Sequence, residues 1–560
     1  MAQTARFHGI AYDEIGIVPN TSLTRKPLYA PRGAVATSQP LAASAGLAVL
    51  RAGGNAVDAA IATATALTIV QPGSNDIGAD LFAIVWDGTR LHGLNASGRS
   101  PAALTWEMAN TAAEQSSAAL GGAQGSAADV MPSRGWLPVT VPGAPAGWRD
   151  LHERFGSRPF ASLFDDAIAF AERGYPVSQR VASGWARTAD YAHAHLDGPE
   201  FAEWKRIYLR DGRAPRAGDR FVNADAAKAL RLIAGSRAEA FYGGEIAQAM
   251  VAYAAATGGT MTLDDLAKHT STWVNPISMR YRGYDVWEIP PNGQGIAALA
   301  ALGILDGFNF GTATAEQRLH LQIEAIKLGF ADAHAYVADP ETPSVAPAAM
   351  LDPAYLTRRR GLITDTAGDP APGDPARGGT VYLCTADSDG MMVSLIQSNY
   401  MGFGSFVAVP GFGFGLQNRG AGFSLDPAHP NVVAGGKRPF HTIIPGFLTR
   451  DGSAVGPFGV MGGHMQPQGH VQLVSSTIDD GFDPQAALDR PRWYWHAGRS
   501  VQVESEMDPA LVSAMAARGH DITVADHGAY GYGQAIWKLP DGAGYVAGSE
   551  GRADGNAVGY

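Results

Sequence analysis

The stretch Gly378-Gly-Thr-Val-Tyr-Leu-Cys-Thr-Ala386 marks a sharp change in the character of this sequence. Before it, residues 365–379 are rich in proline, glycine and aspartate and show no apolar periodicity, which indicates a flexible segment. From Thr380 onwards the pattern is that of a strand, followed by a glycine-containing turn over Asp387–Gly390 and a second strand over Met391–Gln397. We therefore predict a core β-hairpin whose first strand opens on Thr380.

The two glycines before Thr380 matter chemically, because glycine adopts strained backbone conformations that other residues avoid. A strained peptide between Gly379 and Thr380 would suit attack by the Thr380 hydroxyl on the carbonyl group that precedes it. Hydrolysis of the resulting ester would free the Thr380 amine, which can then act as the general base for the same hydroxyl. The pattern Gly-Gly-Thr is more commonly just a loop that enters a strand, so both interpretations stay open at this point.

Helices and strands are predicted on both sides of the hairpin. Thr37 and Ser38 are expected to cap a helix that ends at Gly53-Gly54, and Asn55 to start the next one. Leu81–Trp86 is predicted as a buried strand. Further helices are predicted within 151–275, at 296–305 and at 315–335, further strands near 406–409, 446–449 and 454–459, and a surface loop or linker at 112–129.

Composition limits the classes of function that this chain can have. Its 560 residues are 46% apolar and 17% charged, which suits a large core, and its net charge of −11 gives no electrostatic case for nucleic acid or an anionic membrane. A single cysteine, Cys384, excludes an intrachain disulfide framework and a thiolate-rich metal site. No stretch approaches the ~20 apolar residues that span a bilayer, and no apolar run follows Arg6, so a cytoplasmic protein is expected.

Ordered motifs along the chain resemble those of the gamma-glutamyltransferase family. The resemblance opens with 33–46 and 53–60, and it covers essentially the whole chain from about residue 30. The motifs that follow in order are Val141-Pro-Gly143, Tyr281-Arg-Gly-Tyr284, Pro290-Pro291, Glu324-Ala325, Phe330-Ala-Asp332, Asp339-Pro340 and Lys437-Arg-Pro439.

This resemblance implies a mixed fold of helices and strands, α/β in the broad sense and α+β in the strict sense. Its architecture is the four-layer αββα sandwich of the N-terminal-nucleophile hydrolases. It also implies that the precursor cuts itself between Gly379 and Thr380, so that Thr380 becomes the nucleophile of an amidohydrolase or acyltransferase. The products would be a large subunit, 1–379, with a flexible end at 365–379, and a small subunit, 380–560. The two would form one folded body, and an assembly of several such heterodimers is left open.

Other site residues are implied by the same resemblance. Gly462 and Gly463 match the family's glycine pair, whose backbone N–H groups stabilise the tetrahedral oxyanion; glycine suits this position because the substrate carbonyl must approach the backbone closely. Ser398 matches a hydroxyl residue that orients the nucleophile, and Asn399 and Tyr400 are expected to line the pocket. No metal or other cofactor is expected, because a free amine supplies the base.

The residues that bind the glutamyl group in this family are not matched. The family's arginine stands four residues before a proline, whereas Arg99 stands two residues before Pro101. Gly422 occupies the position of the acid that holds the substrate's α-amino group, and His441 and Thr442 replace a pair of serines. In these respects the chain is similar to the amidase branch of the family, which includes oxamate amidohydrolase-like and cephalosporin-acylase-like proteins.

We therefore predict that the chain hydrolyses the amide bond of a small carboxylate-bearing substrate, oxamate-like or an acyl amide, through an acyl-enzyme. Arg99, Arg419 and His441 are the candidate partners of the substrate carboxylate, with Thr442 beside His441. Two alternatives stay open. One is a true gamma-glutamyl transferase or hydrolase acting on glutathione or related compounds, and the other is an unprocessed, non-catalytic family member.

Other catalytic patterns are missing or incomplete in the sequence. It contains no Gly-x-Ser-x-Gly elbow and no His-Glu-x-x-His motif, and its glycine-rich stretches lack the spacing of a dinucleotide-binding turn or a P-loop. Asp332 with His334, and His464 with His470, have residue types that bind metals, but hydrogen bonding is the expected role of all four.

Overall fold

The structure, a computed structural model, describes residues 6–8, 11–13, 25–119, 130–370, 379–525 and 530–560. The helices are α1 (Pro40–Arg51), α2 (Ala56–Val70), α3 (Trp106–Ala119), α4 (Ala144–Phe155), α5 (Asp165–Arg173), α6 (Gln179–His195), α7 (Ala202–Tyr208), α8 (Ala224–Ser236), α9 (Glu239–Tyr242), α10 (Glu245–Thr257), α11 (Leu263–Ala267), α12 (Gly295–Leu305), α13 (Ala315–Tyr336), α14 (Pro347–Met350), α15 (Pro353–Arg360), α16 (Met465–Ile478), α17 (Pro484–Asp489) and α18 (Pro509–Ala517).

The strands are β1 (Arg6–His8), β2 (Ala11–Asp13), β3 (Leu28–Ala30), β4 (Ala34–Thr37), β5 (Asp80–Trp86), β6 (Leu91–Ala96), β7 (Tyr175–Pro176), β8 (Arg220–Phe221), β9 (Thr272–Val274), β10 (Ile277–Tyr281), β11 (Tyr284–Glu288), β12 (Gly379–Ala386), β13 (Met392–Tyr400), β14 (Gly446–Arg450), β15 (Ser453–Met461), β16 (Trp493–Ala497), β17 (Ser500–Glu504), β18 (Asp521–Ala525), β19 (Tyr532–Lys538), β20 (Tyr545–Ser549) and β21 (Asn556–Gly559).

Two antiparallel sheets, each with seven strands in the described residues, form the centre of the molecule. The first, which we call the β12 sheet, has the order β21-β4-β12-β13-β5-β6-β9. The second, the β15 sheet, has the order β10-β11-β14-β15-β19-β20-β3. In both sheets, strands from residues before and after Gly379 lie side by side, so that each sheet is built from both ends of the chain.

The two sheets pack face to face and bury the core between them. A Cβ atom added to Gly459 in β15 would lie 2.5 Å from the Tyr382 ring, so glycine at this position lets the β12 tyrosine lie against the opposite sheet. The rings of Trp86 and Phe447, one from each sheet, stack with centroids 6.4 Å apart. Stacked apolar sheet faces of this kind supply most of the burial in a two-sheet protein.

Helices cover the outer face of each sheet. On the β12 sheet, the start of α2 is held by Thr385, which donates its hydroxyl hydrogen to the Ala56 carbonyl. On the β15 sheet, α16 packs against β15, where Gly469 contacts Val460. The layers therefore follow the order αββα, and the predicted fold class is confirmed. No helix among the described residues has both the length and the apolarity needed to cross a membrane.

The predicted hairpin and the helices around it are confirmed. Strands β12 and β13 pair antiparallel around a turn at 387–391. Asn55 caps α2 as expected, because its side chain accepts the Asp58 N–H while the Asp58 carboxylate accepts the Asn55 N–H. The strands predicted at Leu81–Trp86, 446–449 and 454–459 are β5, β14 and β15.

The predicted cap of the first helix is wrong. Gln39 is the N-cap of α1, and its side-chain oxygen accepts hydrogen bonds from the Leu41 and Ala42 N–H groups. The two hydroxyl residues predicted for this role have other partners. Thr37 donates to the Tyr382 carbonyl of the neighbouring strand, and Ser38 donates to Gln71.

Two further local predictions are also wrong. Residues 112–119 form the end of α3 and not a loop, because alanine favours a helix and Ala113 is buried beside Phe423; residues 120–129 lie outside the described residues. The strand predicted near 406–409 is an irregular loop in which Phe406 has a φ of 61°, which an extended strand does not allow. Of the segment predicted to be flexible, 365–370 has no regular structure and 371–378 lies outside the described residues.

Candidate active site

Thr380 is fully buried near the start of β12, next to Ser398 of β13. The pairing of the two strands shifts between Gly379 and Val381, and Thr380 lies at this irregularity. Its Oγ1 atom is 2.9 Å from Ser398 Oγ, a normal distance for a hydrogen bond between hydroxyls. The structure therefore brings the predicted nucleophile and its predicted partner together.

Ser398 is held from two further directions. The Tyr400 N–H donates to Ser398 Oγ at 2.8 Å, and Arg419 Nη2 donates to the same oxygen at 3.2 Å. Arg419 Nη1 donates to Thr442 Oγ1 at 2.7 Å. A continuous hydrogen-bonded chain thus runs from Thr380 through Ser398 and Arg419 to Thr442, and it unites four residues that were predicted separately from the sequence.

Arg419 is an unusual cation because it is fully buried and forms no ion pair within the described residues. Its guanidinium lies over the Tyr400 ring at 4.2 Å, and its Nε atom has no hydrogen-bond partner among those residues. Burial lowers the pKa of Arg419 to about 10, so it stays charged at neutral pH. A buried positive charge without a carboxylate partner is costly, and a bound anion would relieve that cost.

His441 precedes Thr442, the last residue of this hydrogen-bonded chain. It contacts Asp80, a residue that was not predicted from the sequence. His441 Nδ1 accepts the Ile443 N–H, so its proton is on Nε2, which donates to Asp80 Oδ2 at 3.1 Å. Asp80 is opposite Ser398 in the strand register. Burial raises the pKa of Asp80 to about 7, while the charge of Arg419 acts in the opposite direction. The one sequence signal for Asp80 was its position, as an acidic residue directly before the apolar strand predicted at Leu81–Trp86.

Gly462 and Gly463 connect β15 to α16, and both have the positive φ values, 136° and 61°, that favour glycine. We find no hydrogen-bond acceptor for either backbone N–H among the described residues. Gly462 lines the same cavity of about 710 Å³ as Thr380. Two N–H groups at this position can stabilise negative charge on a carbonyl oxygen that enters the cavity.

Two glutamines beside the glycine pair were not predicted from the sequence. Gln466 Nε2 lies 3.5 Å from Thr380 Oγ1, and its side-chain oxygen accepts the Ile444 N–H. Gln294 donates to the backbone carbonyls of Thr442 and Gly463, so it ties the two sides of the site together. Neither glutamine lies in a motif that indicates catalysis, and no local signal could have identified them.

Asn399 and Tyr400 continue β13 beyond Ser398. Neither polar atom of the buried Asn399 side chain has a hydrogen-bond partner in the described part of the chain. Tyr400 has a φ of 75°, a strained value for a residue with a large side chain. Tyr400 lines a second cavity of about 770 Å³, together with Gly422 and His464. The structure thus places Asn399 and Tyr400 directly after Ser398, with Tyr400 opposite Gly379 in the strand register.

Arg99 is not part of this hydrogen-bonded chain. Its guanidinium pairs with Asp339 at 3.1 Å and with Glu341, and it also donates to the Gly436 carbonyl. Because two carboxylates already neutralise Arg99, Arg419 is the better placed of the two candidate arginines. A role for Arg99 in substrate binding stays a prediction.

The four residues considered as metal ligands all contact other groups in the protein. Asp332 pairs with Arg359 at 2.9 Å, and His334 packs on Phe330. His464 Nδ1 lies 3.1 Å from Gln294 Oε1. His470 Nδ1 lies 2.5 Å from Glu288, and its Nε2 atom accepts the Val460 N–H. These contacts agree with the hydrogen-bonding roles expected of Asp332, His464 and His470, whereas His334 Nε2 is buried and has no hydrogen-bond partner among the described residues.

Comparison with known proteins extends this picture. The sequence model of the family Gamma-glutamyltranspeptidase matches residues 42–560. The chain is 34% identical to the oxamate amidohydrolase proenzyme of Klebsiella pneumoniae subsp. pneumoniae, over 93% of this chain and 97% of that one. It is 33% identical to a glutathione hydrolase-like proenzyme of Bacillus subtilis, over the same shares of the two chains. The crystal structure of cephalosporin acylase from Bacillus halodurans superposes with a TM-score of 0.90 at 48% identity, and covers 98% of this chain and 99% of that one.

Proposed function

This chain belongs to the gamma-glutamyltranspeptidase family and is an amide-cleaving enzyme, and from that premise we propose that Thr380 is its nucleophile and that a small carboxylate-bearing amide is its substrate. Cleavage before Thr380 produces the active form, in which the new amine accepts the proton of the Thr380 hydroxyl. The names of the relatives include oxamate amidohydrolase, acylase and glutathione hydrolase, so the family relationship leaves the substrate open.

The observation that carries the proposal is the chain of hydrogen bonds from Thr380 to the guanidinium of Arg419, which has no ion pair among the described residues. The two bonds share the Ser398 oxygen, so Arg419 Nη2 lies no more than about 6 Å from Thr380 Oγ1. In an oxamate-type substrate the carboxylate is bonded directly to the scissile carbonyl carbon, and both groups fit within that span. A gamma-glutamyl group has three more carbon atoms between the two, which places its carboxylate farther away.

The proposed reaction proceeds in two halves. Thr380 Oγ1 attacks the amide carbonyl carbon, and the oxyanion that forms is stabilised by the N–H groups of Gly462 and Gly463. The amide nitrogen leaves as ammonia or an amine, taking up the proton that the Thr380 amine removed from the hydroxyl. Water then attacks the ester, with the same amine as general base, and releases the acid and free Thr380.

The architecture supports an enzyme that is cut into two pieces which remain associated. In the β12 sheet, β4 lies between β21 and β12, and β13 pairs with β5. In the β15 sheet, β20 pairs with β3 and β14 with β11. A cut between Gly379 and Thr380 would therefore leave the two pieces hydrogen-bonded through both sheets, which supports the proposal that 1–379 and 380–560 form one folded body.

Gly422 argues against gamma-glutamyl transfer as the main activity. A Cβ atom at this position would lie 2.5 Å from the Phe440 carbonyl oxygen, so this backbone has no room for the acid that binds the substrate's α-amino group in related enzymes. An ammonium group without that counter-charge binds poorly. The experiment that follows distinguishes the proposed amidohydrolase from a true gamma-glutamyl transferase.

The test combines intact mass with a substrate panel. A denaturing gel and mass spectrometry of active protein should show the masses of 1–379 and 380–560 in place of one chain of 58.6 kDa. The processed protein should release ammonia from oxamate faster than it releases the aniline from a gamma-glutamyl anilide with an acceptor dipeptide. The reverse order would contradict the proposed substrate, and an intact chain in active protein would contradict the proposed nucleophile.

A serine variant tests the role of Ser398. We expect Ser398→Ala to lower kcat by about 10- to 100-fold, because a hydrogen bond to a charged or reacting group contributes about 1.5–3 kcal/mol. Ser394→Ala is a matched control on the same strand, since the Ser394 hydroxyl bonds Tyr382 and not the nucleophile. If the turnover of Ser398→Ala lay within threefold of the Ser394→Ala value, Ser398 would have no part in positioning Thr380.

A glycine variant tests the proposed oxyanion site. We expect Gly462→Ala to lower kcat by about 100-fold or more, because its Cβ would lie 3.0 Å from Gly531 Cα and the φ of 136° would have to change. Gly452→Ala is the control, since Gly452 also has a positive φ but no atom within 4 Å of the added Cβ. Comparable kinetics in the two variants would show that Gly462 has no special role.

A further inference from the structure

A cluster of two histidines and one glutamate lies outside the candidate active site. His320 and Glu324 are one helical turn apart on α13, and His520 lies between α18 and β18. All three residues are buried, and their ligand atoms lie within 4.8 Å of one another. His320 Nδ1 and His520 Nε2 are 2.9 Å apart, and His520 Nε2 is 3.9 Å from Glu324 Oε1.

The hydrogen bonds fix which nitrogen of each ring faces its neighbour. His320 Nε2 lies 2.8 Å from the Thr364 carbonyl oxygen, which can only accept, so Nε2 carries the proton and Nδ1 is a lone pair. A backbone carbonyl that fixes the tautomer in this way is the usual companion of a metal-binding histidine. In the metal-free form a single proton on His520 Nε2 joins the two rings. A metal ion would take the place of that proton, which would move to His520 Nδ1, a buried atom with no hydrogen-bond partner among the described residues.

The spacing of the three atoms suits a small tetrahedral ion. With bonds of about 2.0–2.2 Å, the ligands of a tetrahedral zinc ion lie about 3.4 Å from one another. The separations of 2.9 and 3.9 Å lie on either side of that value, and all three ligand atoms lie within 4.8 Å of one another, so small side-chain shifts would bring them to tetrahedral spacing. Glu324 also lines the cavity of about 770 Å³, from which water can supply a fourth ligand.

Lys327 competes with an ion for Glu324. Its Nζ atom is buried, donates to Glu324 Oε1 at 2.7 Å and donates to the Gly368 carbonyl at 3.1 Å. The ammonium neutralises the carboxylate when no metal is bound, and it must move away from Oε1 for the carboxylate to bind a cation. Lys327 therefore weakens cation binding at this site, and its removal should strengthen that binding.

We propose that His320, Glu324 and His520 form a binding site for a divalent transition-metal ion of the zinc class. The site is structural, because none of its residues belongs to the hydrogen-bonded chain around Thr380. His320 and Glu324 precede Gly379 and His520 follows it, so in a processed enzyme the ion would join the two subunits. The binding of the ion does not depend on the proposed function.

The experiment uses the full-length protein, freed of metal with a chelator and dialysed against Zn²⁺ alone. We expect one Zn²⁺ per chain by elemental analysis, and a visible spectrum typical of tetrahedral coordination when Co²⁺ replaces it. His320→Gln and His520→Gln should each weaken Zn²⁺ binding by at least about tenfold. Tenfold is the smallest loss expected when a residue that only hydrogen-bonds a metal ligand is replaced, and a ligand itself should contribute more. Lys327→Met should tighten binding, whereas His193→Gln, a change at an exposed histidine on α6, should leave it unchanged.

Stability gives a second readout. Zn²⁺ should raise the thermal midpoint of the wild type and of Lys327→Met, and should not raise that of His520→Gln, whose circular dichroism spectrum reports whether it is folded. Equal Zn²⁺ affinity in the wild type and both histidine variants would overturn the proposal, and so would a wild-type protein that binds no Zn²⁺ after chelation and dialysis. Neither result bears on amide hydrolysis, which the substrate panel tests separately.

Discussion

Thr380→Ala is expected to yield a single uncut chain of 58.6 kDa that does not hydrolyse amides. The alanine removes the hydroxyl that attacks the Gly379 carbonyl, and so it also prevents the release of the amine that would serve as base. Loss of nucleophile and base together should lower kcat by about 10⁴-fold or more. A denaturing gel measures the cleavage and ammonia release from oxamate measures the activity.

Two further variants make this result specific. Thr380→Ser keeps a hydroxyl and an amine, so it should retain part of both cleavage and turnover. Thr385→Ala removes another buried hydroxyl from the same strand, where it bonds the Ala56 carbonyl, and it should be cut and active if it folds. Cleavage in Thr380→Ala, or active enzyme with the 379–380 peptide intact, would contradict the proposed mechanism.

Arg419→Met should abolish most of the activity on carboxylate-bearing amides. The guanidinium is buried, has no ion pair among the described residues, and is one hydroxyl away from Thr380. Loss of a buried charge partner costs about 2–5 kcal/mol, which is a fall of about 30- to 5,000-fold in kcat/KM for oxamate. The uncharged oxamide lacks the carboxylate, so its much slower hydrolysis should change far less, and the ratio of the two substrates measures the effect.

Arg99→Met is the matched control for Arg419. Arg99 was an equal candidate in the sequence, but its charge is already paired with Asp339 and Glu341. Its replacement should change kcat/KM for oxamate by less than about threefold. A larger loss in Arg99→Met than in Arg419→Met would exchange the roles of the two arginines, and an equal loss on oxamate and oxamide in Arg419→Met would show a structural role only.

Features that depend on neighbours in the chain were predicted well. The hairpin of β12 and β13 was visible because alternating apolar residues and a glycine turn are local properties. The cap of α2 was visible because Asn55 and Asp58 bond each other across one helical turn. The cap of α1 was not, since the Thr37 and Ser38 hydroxyls bond Tyr382 and Gln71, which are distant in sequence.

The candidate site divides in the same way. Family motifs led from the sequence to Thr380, Ser398 and the pair Gly462-Gly463, because these residues lie in recognisable local contexts. Asp80 and Gln466 were missed, since a single acid before a strand and a single glutamine in a helix carry no signal until folding brings them to His441 and Thr380. Their roles depend on contacts between residues that are far apart in the chain.

Through its resemblance to a known family, the order of residues was thus sufficient for the layered αββα fold, the strand that opens at Gly379-Thr380 and the kind of chemistry expected there. It could not distinguish Arg99 from Arg419 as the partner of an anion, nor reveal the cluster of His320, Glu324 and His520. Both answers depend on which charged groups are buried and which of them already have an ion-pair partner. The packing of sheets and helices decides both properties.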